Sequence, residues 1–389
     1  MTSSTDHAVE FKNVDIIFGD EQARAIELLD QGQDREAILK DTGAVLGVAG
    51  ATLSVGAGEI CVLMGLSGSG KSTLLRAVNG LNKVTRGEIL VQDGDRKVDV
   101  ASCDASTLRH MRMSRIAMVF QQFALLPWRT VSENVGLGLE LRGMPEDELN
   151  QIVQEKLKLV DLESWGDKYA HELSGGMQQR VGLARAFATD AEILLMDEPF
   201  SALDPLIRTH LQDELLDLQR KLKKTIVFVS HDLDEALKIG NHIAIMEGGR
   251  IVQYGEPEEI ILNPANDYVR DFVGHVNPLN VLTGSAIMTA FEGRSGEINL
   301  DKTGHVRLHL ATDGAPQSVD IGGKDGKLAD GSSDPSTVCT APTNISFREA
   351  IEWRQMTGNP VVLIEDGKAV GYIGDEEILN ALSGPAIET

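Results

Sequence analysis

The stretch "GEICVLMGLSGSGKSTLLRAVNGL", Gly58 to Leu81, constrains the fold more than any other part of the chain. Ile60 to Met64 form a short unbroken apolar run, the pattern of a strand buried on both faces, which requires a sheet covered on either side. A glycine-rich turn follows, and then an apolar-periodic helix. Within it "GLSGSGKS", Gly65 to Ser72, fits the phosphate-loop spacing GxxxxGK[ST] between a strand and a helix, the context that spacing needs. Gly65, Gly68 and Gly70 free the backbone amides, including those of Leu66, Ser67 and Ser69, to wrap phosphates. Lys71 is expected to reach the β- and γ-phosphates, with the Ser72 hydroxyl on Mg2+. A Gly/Ser-rich turn without a ligand would carry the same letters.

The buried-strand pattern recurs in "RIAMVFQQ", "AEILLMDEP" and "KTIVFVSHD", with helical stretches between them, while "HIAIMEGGRIVQYGEP" reads as a hairpin. This predicts an α/β domain with a mainly parallel sheet over residues 9–275. "VEFKNVDIIF", Val9 to Phe18, is a strand ending in an aromatic residue, and an insert at about 20–47 holds two short helices. A helical subdomain is expected at about 122–190. Beyond Val276 the texture changes, and residues 276–389 form a second region. A Gly-, Asp- and Ser-rich stretch at about 311–337 is expected to be flexible. "ISFREAIEWRQMTG", "NPVVLIEDG", "KAVGYIGD" and "EEILNALSG" then read as helix, strand, strand, helix, with "NPLNVLTGSAIM" a possible worn copy of that unit.

The formal net charge of −23 argues against nucleic-acid binding and against adhesion to anionic lipid through a basic patch. Cys61, Cys103 and Cys339 are far apart and form no CxxC pair, so neither a disulfide frame nor a zinc site is implied. The N-terminus has no basic-then-apolar signal, and no apolar run approaches the roughly 20 residues that span a bilayer. A membrane role is therefore expected to come through a partner.

Four further groups carry candidate chemistry. "ILLMDE", Ile193 to Glu198, delivers two carboxylates to a buried strand end, where parallel sheets bind nucleotides. Asp197 is placed to hold Mg2+, through water, and Glu198 to orient or deprotonate an attacking water. An acidic strand end that merely meets solvent reads the same way. His231 in "VFVSHD" is placed to sense a γ-phosphate, and Gln121 can touch both Mg2+ and water. "HELSGGMQQRVGLARA" starts a helix on Ser174, Gly175 and Gly176, presenting free amides and a positive dipole end suited to a second phosphate.

In their order and spacing "GLSGSGKS", "VFQQ", "LSGGM", "LLMDEP", "SALD" and "VSHD" resemble the nucleotide-binding subunit of an ABC transporter, from about Val9 to Gly274. The resemblance implies an ATPase with ATP and Mg2+ as cofactors and an ABC-type P-loop fold. It implies that Phe18 stacks on adenine, that Thr73 joins the phosphate loop, and that Gln121 couples nucleotide state to a transmembrane subunit. By the same likeness Asp204 communicates across a homodimer, and Ser174, Gly175 and Gly176 cap the γ-phosphate held by the other copy. Phe123, Leu125, Leu126 and Trp128 would line the groove for a permease coupling helix, plain core packing being the alternative for each.

The insert, Met177 in the signature and the segments "SALDPLIRTHLQDELLDLQ" and "NPANDYVRDFVG" resemble the ATPases of bacterial quaternary-amine uptake systems, for glycine betaine, proline betaine, choline or carnitine. That kinship implies two permease subunits, a substrate-binding protein outside the membrane, and a peripheral place on the cytoplasmic face of the inner membrane. The C-terminal piece is similar to a CBS motif, a small α+β regulatory module, with its first half degenerate. Gly374 and Glu377 stand where that motif has a hydroxyl residue and an aspartate. The competing readings are an importer ATPase for another small solute, a soluble ABC ATPase of translation or repair, and a regulatory module in which ATP only locks a conformation. The chain shows no second cassette, long coiled coil or basic arm, as the soluble class would.

Overall fold

The structure, a computed structural model, describes residues 7–121, 124–201, 203–274, 276–291 and 296–383. Its packing divides the chain into two units, Met1–Glu256 and Pro257–Thr389. The division falls after the last strand of the central sheet, ahead of the change in composition at Val276. Gln122 and Phe123, and Ala202 of the "SALD" motif, lie outside the described residues.

The first unit begins with β1 (His7–Phe18), α1 (Gln22–Asp30), α2 (Arg35–Thr42), β2 (Val45–Gly56), β3 (Ile60–Met64) and α3 (Lys71–Val78). It continues through β4 (Arg86–Asp93), β5 (Arg96–Asp99), α4 (Ala105–His110), β6 (Ile116–Val119), α5 (Val131–Leu141), α6 (Glu146–Leu159) and α7 (Gly175–Ala188). It ends with β7 (Ile193–Asp197), α8 (Pro205–Leu222), β8 (Thr225–Val229), α9 (Leu233–Ile239), β9 (His242–Glu247) and β10 (Arg250–Gly255).

Six strands form the central sheet in the order β10-β9-β3-β8-β7-β6. All neighbours are parallel except β10 on β9, the expected hairpin. Every residue of β3, β7 and β8 is buried, which is why these segments are apolar throughout instead of alternating. The antiparallel sheet β2-β1-β4-β5 contributes Val9, Phe11 and Leu53 to one core with Leu63 of β3, Leu74 of α3, Leu195 of β7 and Val227 of β8. Each fully buried large aliphatic side chain contributes about 1.5–3 kcal/mol by leaving water.

Helices α5, α6 and α7 build the inserted helical subdomain around Val135, Leu139, Val153, Leu157 and Val181. The Thr130 hydroxyl accepts from the Glu133 amide at 3.2 Å and Glu133 accepts from the Thr130 amide at 2.7 Å, a reciprocal cap that starts α5. The insert before β2 forms α1 and α2 over a small core of Ile17, Leu28, Ile38 and Leu46. Arg86 braces it, donating to both Asp30 oxygens at 2.9 and 2.8 Å and to Asp15 at 2.6 Å.

The second unit comprises α10 (Pro257–Leu262), α11 (Asp267–Val273), α12 (Gly284–Ile287), β11 (Thr289–Ala290), β12 (Gly296–Asn299), β13 (Val306–Leu310) and β14 (Pro316–Ile321). It then runs through β15 (Lys324–Asp325), β16 (Lys327–Ala329), β17 (Thr337–Pro342), α13 (Phe347–Thr357), β18 (Val361–Glu365), β19 (Lys368–Ile373) and α14 (Asp375–Ser383). From β17 onward the order is strand, helix, strand, strand, helix, in a sheet ordered β11-β19-β18-β17-β16.

The expectation of a flexible stretch at 311–337 is corrected. The segment supplies β14, β15 and β16, and Val319, Ile321 and Leu328 pack on the core of this unit. Its glycines and aspartates sit at turns such as Gly322 and Gly323, with φ of 62° and 81°, which conceal short strands in a composition-based reading. Glu377, at the position where the resembling motif has aspartate, is engaged locally. It accepts from the Gly374 amide at 2.9 Å and from the Thr289 hydroxyl at 2.5 Å.

Candidate active site

β3, β8, β7 and β6 are neighbours and parallel, so the chain leaves all four at the same edge of the sheet. From that edge β3 leads into Gly65–Ser72, β8 into His231, β7 into Asp197 and Glu198, and β6 toward Gln121. Residues more than a hundred positions apart therefore converge through topology alone.

A cavity of about 510 Å3 opens there. Of the residues singled out in the sequence, Phe18, Ser67, Gly68, Gly70, Lys71, Ser72, Thr73, Glu198 and His231 line it. Gly70 has φ of 103°, and a Cβ there would lie 2.4 Å from the Gly47 carbonyl oxygen, so no other residue fits without moving the loop. A Cβ on Gly47 would in turn lie 2.9 Å from Phe18 Cε2 and 3.1 Å from Thr73 Cγ2. The missing side chain lets the Phe18 ring settle beside the start of α3. That ring is 41% exposed, an unusual state for phenylalanine that leaves a face for a planar ligand.

α3 starts on Gly70 with no side-chain cap, so its first amides and its positive dipole end face the loop. Lys71 Nζ donates to the carbonyls of Gly65 at 2.8 Å and Leu66 at 3.0 Å. Burial holds this amine below the ordinary lysine range, opposed by the charges of Glu198 and Asp197. The Ser69 hydroxyl is buried inside the loop with no hydrogen-bond partner among the described residues.

Asp197, 1% exposed, accepts from the Ser72 hydroxyl at 2.7 Å and from Arg76 Nε at 2.9 Å, with Arg76 Nη2 also at 2.7 Å. Glu198 adopts φ of 45°, a left-handed conformation costing about 1–2 kcal/mol in a non-glycine residue. The turn is held by the Glu198 amide on the Val229 carbonyl at 3.1 Å and by the Ser201 hydroxyl on the Glu198 carbonyl at 3.1 Å. It brings Glu198 Oε2 to 3.1 Å from Gln121 Nε2 and 3.3 Å from His231 Nδ1. Behind His231 the buried Glu235 accepts from the Ser230 hydroxyl at 2.5 Å and from Gln212 at 2.9 Å.

Two contributors escaped the sequence reading. Arg76 lies four residues after Ser72, one helical turn along the same face, a spacing that signals a shared target once Asp197 is known. Arg35 lines the cavity from α2, and no local pattern points to it.

Ser174, Gly175, Gly176 and Asp204 are not among the lining residues. The Ser174 oxygen caps α7 through the Met177 amide at 3.4 Å, and Asp204 caps α8 through the Ile207 amide at 3.1 Å. The two helix starts are close, since a Cβ on Gly176 would lie 3.2 Å from Ile207 Cγ2. Met177 packs against the core of the helical subdomain, where a thioether suits the apolar surroundings. Of the apolar cluster after Gln121, Leu125 packs on that core while Trp128 is 70% exposed. Asn134, fully buried, fixes the loop between them by accepting from the Leu126 amide at 2.7 Å and donating to its carbonyl at 3.1 Å. No helix among the described residues is long and apolar enough to cross a membrane.

Residues 48–201 match the family model described as ABC transporter. The chain is 44% identical over 387 residues to the glycine betaine/carnitine transport ATP-binding protein GbuA of Listeria monocytogenes, covering 95% of this chain and 96% of that one. It is 52% identical over 279 residues to the glycine betaine/proline betaine transport system ATP-binding protein ProV of Escherichia coli, covering 72% of this chain and 69% of that one. Among solved structures, the dimeric post-hydrolysis state of the ATP-binding cassette MJ0796 bound to ADP and Pi aligns with a TM-score of 0.54 and 30% identity, covering 64% of this chain and 98% of the other. Near-complete coverage of a relative, together with a phosphate loop and a Glu198 carboxylate at one sheet edge, places the chain in the family of ATP-hydrolysing ABC transporter ATP-binding subunits.

Proposed function

We infer that the chain binds MgATP in the cavity at the end of the parallel sheet and hydrolyses it to drive uptake of a quaternary amine through a membrane permease. The observation that carries this is the Glu198 carboxylate, held by its left-handed turn beside Gln121 and His231 at the cavity that Lys71 lines.

Placement at the cavity and the family likeness support the following roles. Phe18 stacks on adenine, and the amides from Leu66 to Thr73 wrap the phosphates, with Gly65, Gly68 and Gly70 giving the loop its shape. Lys71 neutralises the outer phosphates, exchanging its loop carbonyls for phosphate oxygens. Glu198 takes the proton of the attacking water, Gln121 and His231 hold that water and the γ-phosphate in register, and Asp204 transmits the change.

A divalent cation fits the donor set: the Ser72 hydroxyl and Asp197 carboxylate are 2.7 Å apart, hard oxygen ligands supplemented by Gln121. No cluster of three or more His, Cys, Asp or Glu residues suited to a metal occurs among the described residues, in keeping with Mg2+ held partly by phosphate and water. When bound, Mg2+ would neutralise charge on the β- and γ-phosphates.

Ser174, Gly175 and Gly176 lie off their own cavity, which supports their use on the ATP of a second copy in a head-to-tail homodimer. The solved dimer of the MJ0796 cassette supports a dimer. Exposed Trp128 then anchors the permease contact, two permease subunits carry the solute, and a binding protein delivers it from outside. The chain would sit on the cytoplasmic face of the inner membrane, touching the bilayer only through the permease. The names of the relatives favour glycine betaine, proline betaine or carnitine as cargo; choline and a regulatory role for the C-terminal CBS-like unit rest on the sequence resemblance alone.

The test is reconstitution with permease and binding protein, comparing ATPase stimulation by glycine betaine, proline betaine, carnitine, choline and a neutral amino acid. Stimulation by at least one quaternary amine and none by the amino acid is expected; the reverse pattern refutes the substrate class.

A further inference from the structure

The insert places a cation at the cavity that none of the sequence motifs contains. α2 begins at Arg35, directly after Asp34, whose carboxylate accepts from the Ala37 amide at 2.8 Å and fixes the first turn. Arg35 Nη1 donates to the Gly68 carbonyl of the phosphate loop at 2.7 Å, and its side chain lines the same cavity as Phe18 and Lys71. The helix that carries it packs Ile38 into the apolar core of the insert, and Arg86 braces the preceding helix α1 through Asp30. The guanidinium is therefore presented by a built element.

Charge bookkeeping separates Arg35 from its neighbours. Arg76 is committed to Asp197 at 2.7 Å, and Lys71 faces the charges of Glu198 and Asp197. Arg35 forms no ion pair with any described residue, and the Gly68 carbonyl is its hydrogen-bond partner. It rests on a loop carbonyl just as Lys71 does on those of Gly65 and Leu66. A guanidinium has five donors in a planar fork that matches phosphate oxygens, so one bond to Gly68 leaves donors for a ligand.

We propose that Arg35 is a nucleotide-binding residue, its guanidinium contacting the phosphate chain of the nucleotide held by Gly65–Ser72. The insert is then part of the ATP site, and nucleotide occupancy is felt by α2 as well as by the loop. This rests on reading the cavity as the ATP site.

The test uses the full-length chain, with ATP and adenosine each displacing a fluorescent N-methylanthraniloyl ATP. Arg35→Ala is expected to raise the Kd for ATP about tenfold, as for loss of a hydrogen bond to a charged group, and to leave adenosine within twofold. Arg35→Lys recovers part of the loss by restoring charge without the fork, and in steady-state hydrolysis Arg35→Ala raises KM while kcat stays within threefold. An unchanged ATP Kd in Arg35→Ala overturns the proposal alone. Equal weakening for ATP and adenosine also overturns it, making Arg35 a brace of the loop. Failure of the wild-type chain to bind ATP overturns both the cavity assignment and the proposal.

Discussion

Replacing Glu198 by Gln isolates the proton-accepting step from the architecture that presents it. Glutamine has nearly the same shape and can occupy the same left-handed turn, because the turn is held by the Val229 carbonyl and Ser201, not by the carboxylate. Its amide oxygen, in the place of Oε2, still accepts from Gln121 Nε2 at 3.1 Å and stays 3.3 Å from His231 Nδ1. What disappears is a basic oxygen. Loss of a positioned general base costs about 10²–10⁴ in rate, or roughly 3–5 kcal/mol of barrier at 1.36 kcal/mol per tenfold. Phosphate release at saturating MgATP is expected to fall by that factor, while nucleotide Kd stays within threefold and ATP-dependent dimers accumulate in light scattering. A turnover within threefold of wild type, with the fold intact, refutes the assignment of Glu198.

Three further outcomes follow from the buried carboxylates Asp197, Asp93 and Glu235 and their partners. Arg76→Ala leaves the buried Asp197 carboxylate with Ser72 alone and is expected to cost about 2 kcal/mol in urea unfolding, moderated because Arg76 is itself part-exposed, and to raise the KM for ATP. Asp93 is held down to about 2 by Arg96 first, then by Arg115 and His110. Its stabilisation is therefore complete above the ordinary aspartate range and lost as pH falls toward 2, so Asp93→Asn should cost about 2 kcal/mol at pH 7 and the gap to wild type should narrow between about pH 4 and 2. Burial holds the Glu235 carboxyl above the usual range, opposed by the Ser230 and Gln212 hydrogen bonds. A raised carboxyl stabilises most below its unfolded value and less as pH rises, so Glu235→Gln should raise Tm at pH 8 relative to wild type and lose that advantage toward pH 4.

The strands that carry chemistry were legible because β3, β7 and β8 are buried on both faces and so appear as unbroken apolar runs. Asp197 and Glu198 could be read from the end of such a run, and His231 and Gln121 from order and spacing. Other features are set by tertiary contacts that leave no periodic trace. The left-handed turn at Glu198 depends on Val229 across the sheet, and the Arg35 contact with Gly68 depends on how the insert packs. Arg76 was hidden for a different reason: a cation on a helix face is the commonest of surface residues, and only its meeting with Asp197 distinguishes it. In 311–337 turn residues outweigh the alternation of Val319 and Ile321, which conceals β14 in the sequence.

Hydrolysis at this cavity driving solute movement is most directly tested in proteoliposomes containing the chain with its permease and binding protein, with MgATP on the side of the chain and labelled glycine betaine on the opposite side. The wild-type chain is predicted to accumulate the amine on the ATP side, and Glu198→Gln to accumulate none while still binding ATP. Equal accumulation by both proteins, or movement of the amine away from the ATP side, would contradict the account.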